Sequence, residues 1–210
     1  MKNEIKEHWD KAYAENDENE LGWYQDRATP SLELLTKTDV KKGDIILDVG
    51  SGTSIFINDL IDSGFRNIIA TDISEVALTK AKEKLGNEKS KLIKFILDDI
   101  TKSTKIKKLK NIALWHDRAV FHFLTEEAQR KSYKETLNEI LKIGGYVIIG
   151  TFSLEAPKQC SGLDVSHYNV EMLANFFGQN YKLQDSFDYM HYTPSGKERQ
   201  FTYALFKRLK

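Results

Sequence analysis

Ile45-Ile46-Leu47-Asp48-Val49-Gly50-Ser51-Gly52-Thr53-Ser54 is an apolar run that breaks into two glycines one residue apart, with an acid just ahead of the break. Such a run suits a strand buried on both faces of a parallel sheet. The glycines permit a sharp turn and leave the backbone bare, so a ligand can approach main-chain atoms that a side chain would cover. One βαβ unit later Asn67-Ile68-Ile69-Ala70-Thr71-Asp72 forms a second apolar strand ending in a carboxylate. Gly52 and Asp72 are 72 − 52 = 20 residues apart, the spacing at which an acid on the second strand reaches ribose hydroxyls. The pair points to a nucleoside cofactor.

The segments around this pair repeat the strand–helix alternation. A helix with Ile55, Phe56, Leu60 and Ile61 on one face follows the glycine loop, and Ser74 caps a helix running to about Leu85. Strands are expected at Leu92–Leu97, Asn111–Trp115 and Tyr146–Thr151, with a helix from the cap Thr125 to Lys142 stopped by Gly144-Gly145. This order predicts a three-layer α/β fold with a parallel sheet covered by helices on both faces. The last forty or so residues differ. A helix over Val170–Phe177 precedes two extended runs, Lys182–His191 and Gln200–Phe206, joined by Thr193-Pro194-Ser195-Gly196, which reads as an antiparallel hairpin. Upstream, Thr29 caps a helix with Pro30 in its first turn. Residues 1–40 are expected to form a helical lid, and residues 41–210 the cofactor domain of a single structural unit.

Composition narrows the classes. Lys plus Arg equals Asp plus Glu at 31 each, so no net charge draws the chain to nucleic acid. The lysine-rich stretch Lys102–Lys110 reads as a solvated loop. No apolar run approaches the ~18 residues of a membrane span, and the polar start Met1-Lys2-Asn3-Glu4 carries no signal-peptide pattern. Cys160 is alone, so an intramolecular disulfide is excluded, and five scattered histidines argue against a metal site. A cytoplasmic monomer or homodimer is expected.

The kind of nucleoside follows from what is missing. A pyrophosphate site needs a third glycine where Ile55 stands, so that a helix N-terminus can approach the phosphates. Asp48, Asp72 and the Asp98-Asp99 pair, at three successive strand ends, would repel phosphate as well. A neutral or cationic nucleoside fits better.

These residues resemble the class I S-adenosylmethionine-dependent methyltransferases, from about Lys42 to the C-terminus. Asp48-Val49-Gly50-Ser51-Gly52-Thr53 is similar to the family's D-V-G-x-G-T motif, and Lys142-Ile143-Gly144-Gly145-Tyr146 to its L-x-P-G-G segment. Ser54, Ile143 and Ala113 depart from the common pattern, standing where glycine, proline and aspartate are frequent. The resemblance implies a Rossmann-like, seven-stranded, mostly parallel sheet with a C-terminal antiparallel hairpin, and S-adenosylmethionine as cofactor. It implies that Asp48, Gly50, Ser51, Gly52 and Thr53 surround the methionine part, and that Asp72 with Ile73 holds the ribose. Asp99 and Ile100 would meet the adenine, and His116 would lie beside the methyl group.

His116 and Asp117 are the candidate bases, since they follow the fourth strand. Trp9, Tyr13, Trp23 and Tyr24 form the candidate lid, because aromatic faces favour a sulfonium or a methylammonium group. Arg118 and His167 join them on the acceptor side. Expected is in-line methyl transfer to a small molecule. The W-x-x-x-Y…G-W-Y start also resembles protein-lysine methyltransferases, which makes a protein acceptor the alternative. Two further readings compete. A dinucleotide-dependent oxidoreductase is disfavoured by Ile55 and the terminal hairpin, and a catalytically silent cofactor-binding module would keep the same acids.

Overall fold

The computed structural model describes residues 4–210 and contains a seven-stranded sheet in the order β3-β2-β1-β4-β5-β9-β8. Strands β1 (Ile45–Val49), β2 (Ile68–Asp72), β3 (Ile93–Leu97), β4 (Ile112–Arg118) and β5 (Leu141–Phe152) are parallel. The hairpin β8 (Tyr181–Tyr192) and β9 (Glu198–Arg208) adds antiparallel strands at one edge, with β9 against β5. Between β5 and β8, Gln159–Cys160 (β6) and Leu163–Asp164 (β7) form a small separate ladder.

Helices cover both faces, and the strand period of two decides which side chains meet them. Ile46 on β1, Leu114 on β4 and Ile148 on β5 face α2 (Thr29–Thr36) and α3 (Ile55–Asp62), packing with Leu34, Phe56 and Leu60. Their neighbours Leu47, Trp115 and Val147 face α5 (Glu127–Ile140) and α6 (Val170–Phe177), packing with Tyr133, Leu137 and Phe177. Adjacent residues on β4 therefore belong to different cores. Helix α4 (Glu75–Ser90) begins after β2, where Ser74 caps it by accepting from Ala77 N at 3.0 Å. It carries a kink at Gly86, φ +69°, just past Leu85. The N-terminal α1 (Glu4–Glu15) lies against α4, tied by the Ser74 hydroxyl donating to Asp10 at 2.7 Å. Of the expected lid, residues 1–3 lie outside the described residues.

Several boundaries differ from the sequence expectation, among them the end of β4, which runs past Trp115 to Arg118. The cap position of α2 is Ala28, with Thr29 already inside the helix and Pro30 in its first turn. Helix α5 is capped by Glu126, whose backbone N–H donates to the Gln129 side chain, in place of Thr125. It ends at Ile140, before Lys142, because the chain enters β5 at Leu141, paired with Ile112. Gly144, φ +78°, does not stop the helix but turns an irregularity in β5, after which pairing resumes at Tyr146 opposite Leu114. Asn111 precedes β4 in a left-handed conformation, φ +60°.

Candidate active site

The carboxyl ends of β1, β2 and β4 converge on the glycine loop. Gly50 and Gly52 have φ of +57° and +53°, where a side chain is strained. Space forbids one too. A Cβ on Gly50 would lie 2.1 Å from Val120 Cγ2, and one on Gly52 would lie 2.2 Å from the Tyr13 hydroxyl. Ser51 N donates to the Thr71 carbonyl at 2.8 Å, holding the loop against β2. The Asp72 carboxylate completes the turn, accepting from Gly52 N and Ser74 N, each at 2.8 Å. Burial pushes the Asp72 carboxyl up to about 6, partly offset by the N–H groups of Ser74, Gly52 and Ile73.

Two cavities adjoin this loop. The larger, about 200 Å³, runs past Asp72, Ile73, Asp99 and Ile100 on the sheet side. Trp9, Tyr13, Trp23 and Phe123 form its aromatic wall. The wall is a set of edge-on rings, with centroids 5.7 Å apart for Trp9–Trp23, 5.0 Å for Trp9–Phe123 and 5.8 Å for Tyr13–Trp23. The smaller cavity, about 70 Å³, is bordered by Asp48, Ser51, Thr53, Tyr24 and His116, and Arg118 borders both. Asp99 accepts from Thr101 N and Oγ1 at 2.8 and 2.6 Å. Its neighbour Asp98 organises the following loop: burial would raise its carboxyl, but N–H groups of Ile106, Lys105 and Thr104 outweigh this and hold it low.

His116 and Asp117 are adjacent on β4, so they point to opposite faces of the sheet and cannot act on one atom. His116 is 2% exposed. Its Nδ1 lies 2.6 Å from Asp48 Oδ1, its Nε2 lies 2.8 Å from the Ser31 hydroxyl, and its ring stacks on Phe56 at 4.0 Å. In the neutral ring Nδ1–H donates to Asp48, and Nε2 accepts from Ser31. Asp117 sits on the α5 face, accepting from the Tyr133 hydroxyl at 2.8 Å and from Val120 N and Phe121 N at 3.1 and 3.3 Å. Tyr133 in turn accepts from Trp115 Nε1 at 2.7 Å. Burial pushes Asp117 up to about 6, against the lowering by these donors.

Three of the other four histidines are also engaged, while the buried Nε2 of His8 has no hydrogen-bond partner among the described residues. His122 Nδ1 accepts from Phe152 N at 3.2 Å, and burial drives its pKa down to about 3. His191 Nε2 donates to the Gly22 carbonyl at 3.0 Å, with its pKa lowered to about 4, mainly by burial and then by Arg118. His167 bonds the Pro157 carbonyl at 3.0 Å and borders neither cavity. Burial raises the Cys160 thiol to about 11, so on the wall of the larger cavity it stays protonated near neutral pH. Among the described residues no cluster of three histidine, cysteine or acidic side chains suits a metal ion.

Ser31 and Phe56, which hold His116, and Tyr203, which holds Arg118, carry no motif and stand 60 to 85 positions from their partners. The tie from Asp10 to Ser74 is equally invisible to local reading.

The arrangement fits an adenosyl sulfonium. The loop is bare where a Cβ would collide, a buried carboxylate stands at the second strand, and the Asp48 Oδ2 and Ser51 Oγ atoms are buried without a protein partner. Comparisons with known proteins agree. The family described as a methyltransferase domain matches residues 40–198. The human protein named EEF1A lysine methyltransferase 2 is 22% identical over 95% of this chain and 84% of its own length. The solved structure of an S-adenosylmethionine-dependent methyltransferase from Anabaena variabilis superposes with a TM-score of 0.75 at 14% identity, covering 97% of this chain and 93% of that one. The glycopeptide N-methyltransferase MtfA, solved with S-adenosylmethionine, gives 0.66 at 12% identity, covering 90% and 97%. The chain belongs to the methyltransferase domain family and is a methyltransferase that uses S-adenosylmethionine.

Proposed function

We propose that this enzyme methylates an amine, and that the amine is a lysine side chain of a protein. The observation that carries the reading is the aromatic wall of Trp9, Trp23 and Phe123 on the larger cavity. Such rings suit a slender aliphatic arm ending in an amino or methylammonium group, at about 0.5–2 kcal/mol for a cation on a ring face. The lysine-methyltransferase name of the human relative, similar over nearly the whole chain, supports the same choice over a small-molecule acceptor. No helix among the described residues is long and apolar enough to cross a membrane, and the reading places the enzyme in the cytoplasm as a monomer or homodimer acting on a protein partner.

When bound, S-adenosylmethionine supplies a methyl group on a sulfonium, whose sulfur leaves as a neutral thioether. With it bound, the lone pair of an acceptor amine would take the methyl carbon in line, C–N forming as C–S breaks, and the amine proton would pass to solvent. The residues of this chain have the task of alignment and drying; proximity alone is worth roughly 7–11 kcal/mol. Asp72 would bind the ribose, Asp99 and Ile100 would border the base, and the loop from Gly50 to Thr53 would hold the remaining arm. His116 and Asp117, whose four polar side-chain atoms are all bonded within the protein, serve as struts under that loop and under the turn after β4.

Residues 4–40 act as the lid, with α1 latched to Ser74 through Asp10. Trp23→Ala, which removes one ring of the wall, is expected to raise the Kd for S-adenosylhomocysteine several-fold, and Tyr24→Ala at the smaller cavity to do the same. Calorimetry giving an unchanged Kd for both variants would reduce these rings to packing.

The acceptor is tested by incubating the enzyme with methyl-labelled cofactor and a proteome digested after reaction. Label on lysine Nζ in peptides is the expected result. Label confined to the low-molecular-weight fraction would return the acceptor to the small molecules.

A further inference from the structure

Three buried side-chain atoms at the smaller cavity have no protein partner: Asp48 Oδ2, Ser51 Oγ and Arg118 Nη2. One belongs to an anion, one to a hydroxyl and one to a cation. Leaving such groups unpaired is costly, more so for charges than for neutral groups. A ligand carrying both signs a few ångströms apart, an α-amino-acid zwitterion, satisfies all three. Its ammonium matches Asp48, and its carboxylate matches the planar guanidinium of Arg118.

Arg118 is prepared for this. Its Nε donates to the Tyr203 hydroxyl at 3.0 Å, its Nη1 donates to the Trp23 carbonyl at 2.8 Å, and its plane lies over the Phe201 ring at 5.1 Å. Only Nη2 is left for a ligand. Glu18, the other acid at this cavity, is paired with Lys84 and does not compete. Asp48 is aimed in the same way, because its Oδ1 is held by the His116–Ser31 chain and Oδ2 is left over.

We propose that Arg118 binds the carboxylate of the cofactor's amino-acid end while the same guanidinium fastens the Trp23 carbonyl, so that a cofactor with that end intact tightens the lid. The proposal rests on the cofactor reading above and reassigns Arg118 from the acceptor to the cofactor. His191, which donates to the adjoining Gly22 carbonyl, is a second tie on the same stretch of lid, so Arg118 acts on a segment already held at one point.

The test compares S-adenosylhomocysteine with 5′-methylthioadenosine, which keeps the nucleoside and lacks the amino-acid end. Binding is followed by calorimetry, and lid state by tryptophan fluorescence, since two of the three tryptophans lie in the lid segment. In the unaltered enzyme S-adenosylhomocysteine is expected to shift the emission and methylthioadenosine to bind without that shift. Arg118→Gln is expected to weaken S-adenosylhomocysteine at least tenfold while leaving methylthioadenosine within twofold. Arg118→Lys, which keeps the charge but not the fork, is expected to lose the emission shift. Equal fluorescence shifts for the two ligands in the unaltered enzyme, or equal losses of both ligands in either variant, would overturn the proposal. So would saturable binding of free methionine alongside S-adenosylhomocysteine, which would give the cavity to an amino-acid acceptor. Failure of both nucleosides to bind the unaltered enzyme would instead sink the cofactor reading.

Discussion

Asp72→Ala is expected to weaken S-adenosylhomocysteine at least about 100-fold. Each carboxylate oxygen already accepts one backbone N–H, from Gly52 or Ser74, and has a lone pair left for a ribose hydroxyl. Hydrogen bonds to a charged group contribute about 1.5–3 kcal/mol each, and two of them at 1.4 kcal/mol per decade give about 10²–10⁴ in Kd. The same carboxylate imposes a pH dependence. Its pKa rises from 3.8 in the unfolded chain to about 6 in the ligand-free fold, so between these values the native state holds the extra proton. Its contribution to native stability therefore falls as pH rises from about 4 to 6. Hydroxyl donors favour the ionised form, so binding expels that proton. Affinity should weaken as pH drops through about 6 and level off above 7, and the alanine variant should lose this dependence. Calorimetry at several pH values measures both. A Kd within threefold of the unaltered enzyme would remove Asp72 from the site.

Asp117→Ala should produce the largest loss of stability. The substitution strands the Tyr133 hydroxyl and the Phe121 N–H in a fully buried pocket, and the Val120 N–H at its half-buried edge. An unsatisfied buried donor costs about 1–3 kcal/mol, so a loss of about 3–5 kcal/mol in chemical denaturation is expected. Asp117→Asn keeps the shape and one acceptor oxygen. It should fold and methylate within a few-fold of the unaltered enzyme, because Asp117 touches the turn after β4 and no reacting atom. A hundredfold drop in kcat for the asparagine variant, with a shifted pH profile, would restore Asp117 as a base.

These expectations show which parts of the molecule were legible from the chain. The I-I-L-D-V-G-S-G run, Asp72 and the closing hairpin are local signals, written in residue type and spacing, and the structure places them as the sequence suggests. The same period-two logic, applied to β4, separates His116 from Asp117 onto opposite faces once the strand is known to reach Arg118. A strand ending at Trp115 places both after it, as candidate bases. Their partners are unreadable for a different reason: Ser31 lies 85 positions before His116, and Tyr203 lies 85 after Arg118, so only the folded sheet brings them together. The Gly144-Gly145 pair misled because glycine at a positive φ serves a helix end and a strand irregularity equally well. Pairing of Leu141 with Ile112 decides between them, and that contact is long-range.

Strand β8 leaves the ribosome before β9, yet β9 is its one partner within the sheet. Until β9 emerges, β8 has no place to add, and the open flank of β5 stays unsatisfied. The two strands should therefore zip together first and dock as a unit, since hairpin closure is local and the β5 contact is not. Tyr203 rides on that late-arriving ribbon and is what steadies Arg118. A nascent chain stalled before β9 would thus carry a finished glycine loop with a loose guanidinium, and would be unable to grip its cofactor before translation has passed that point.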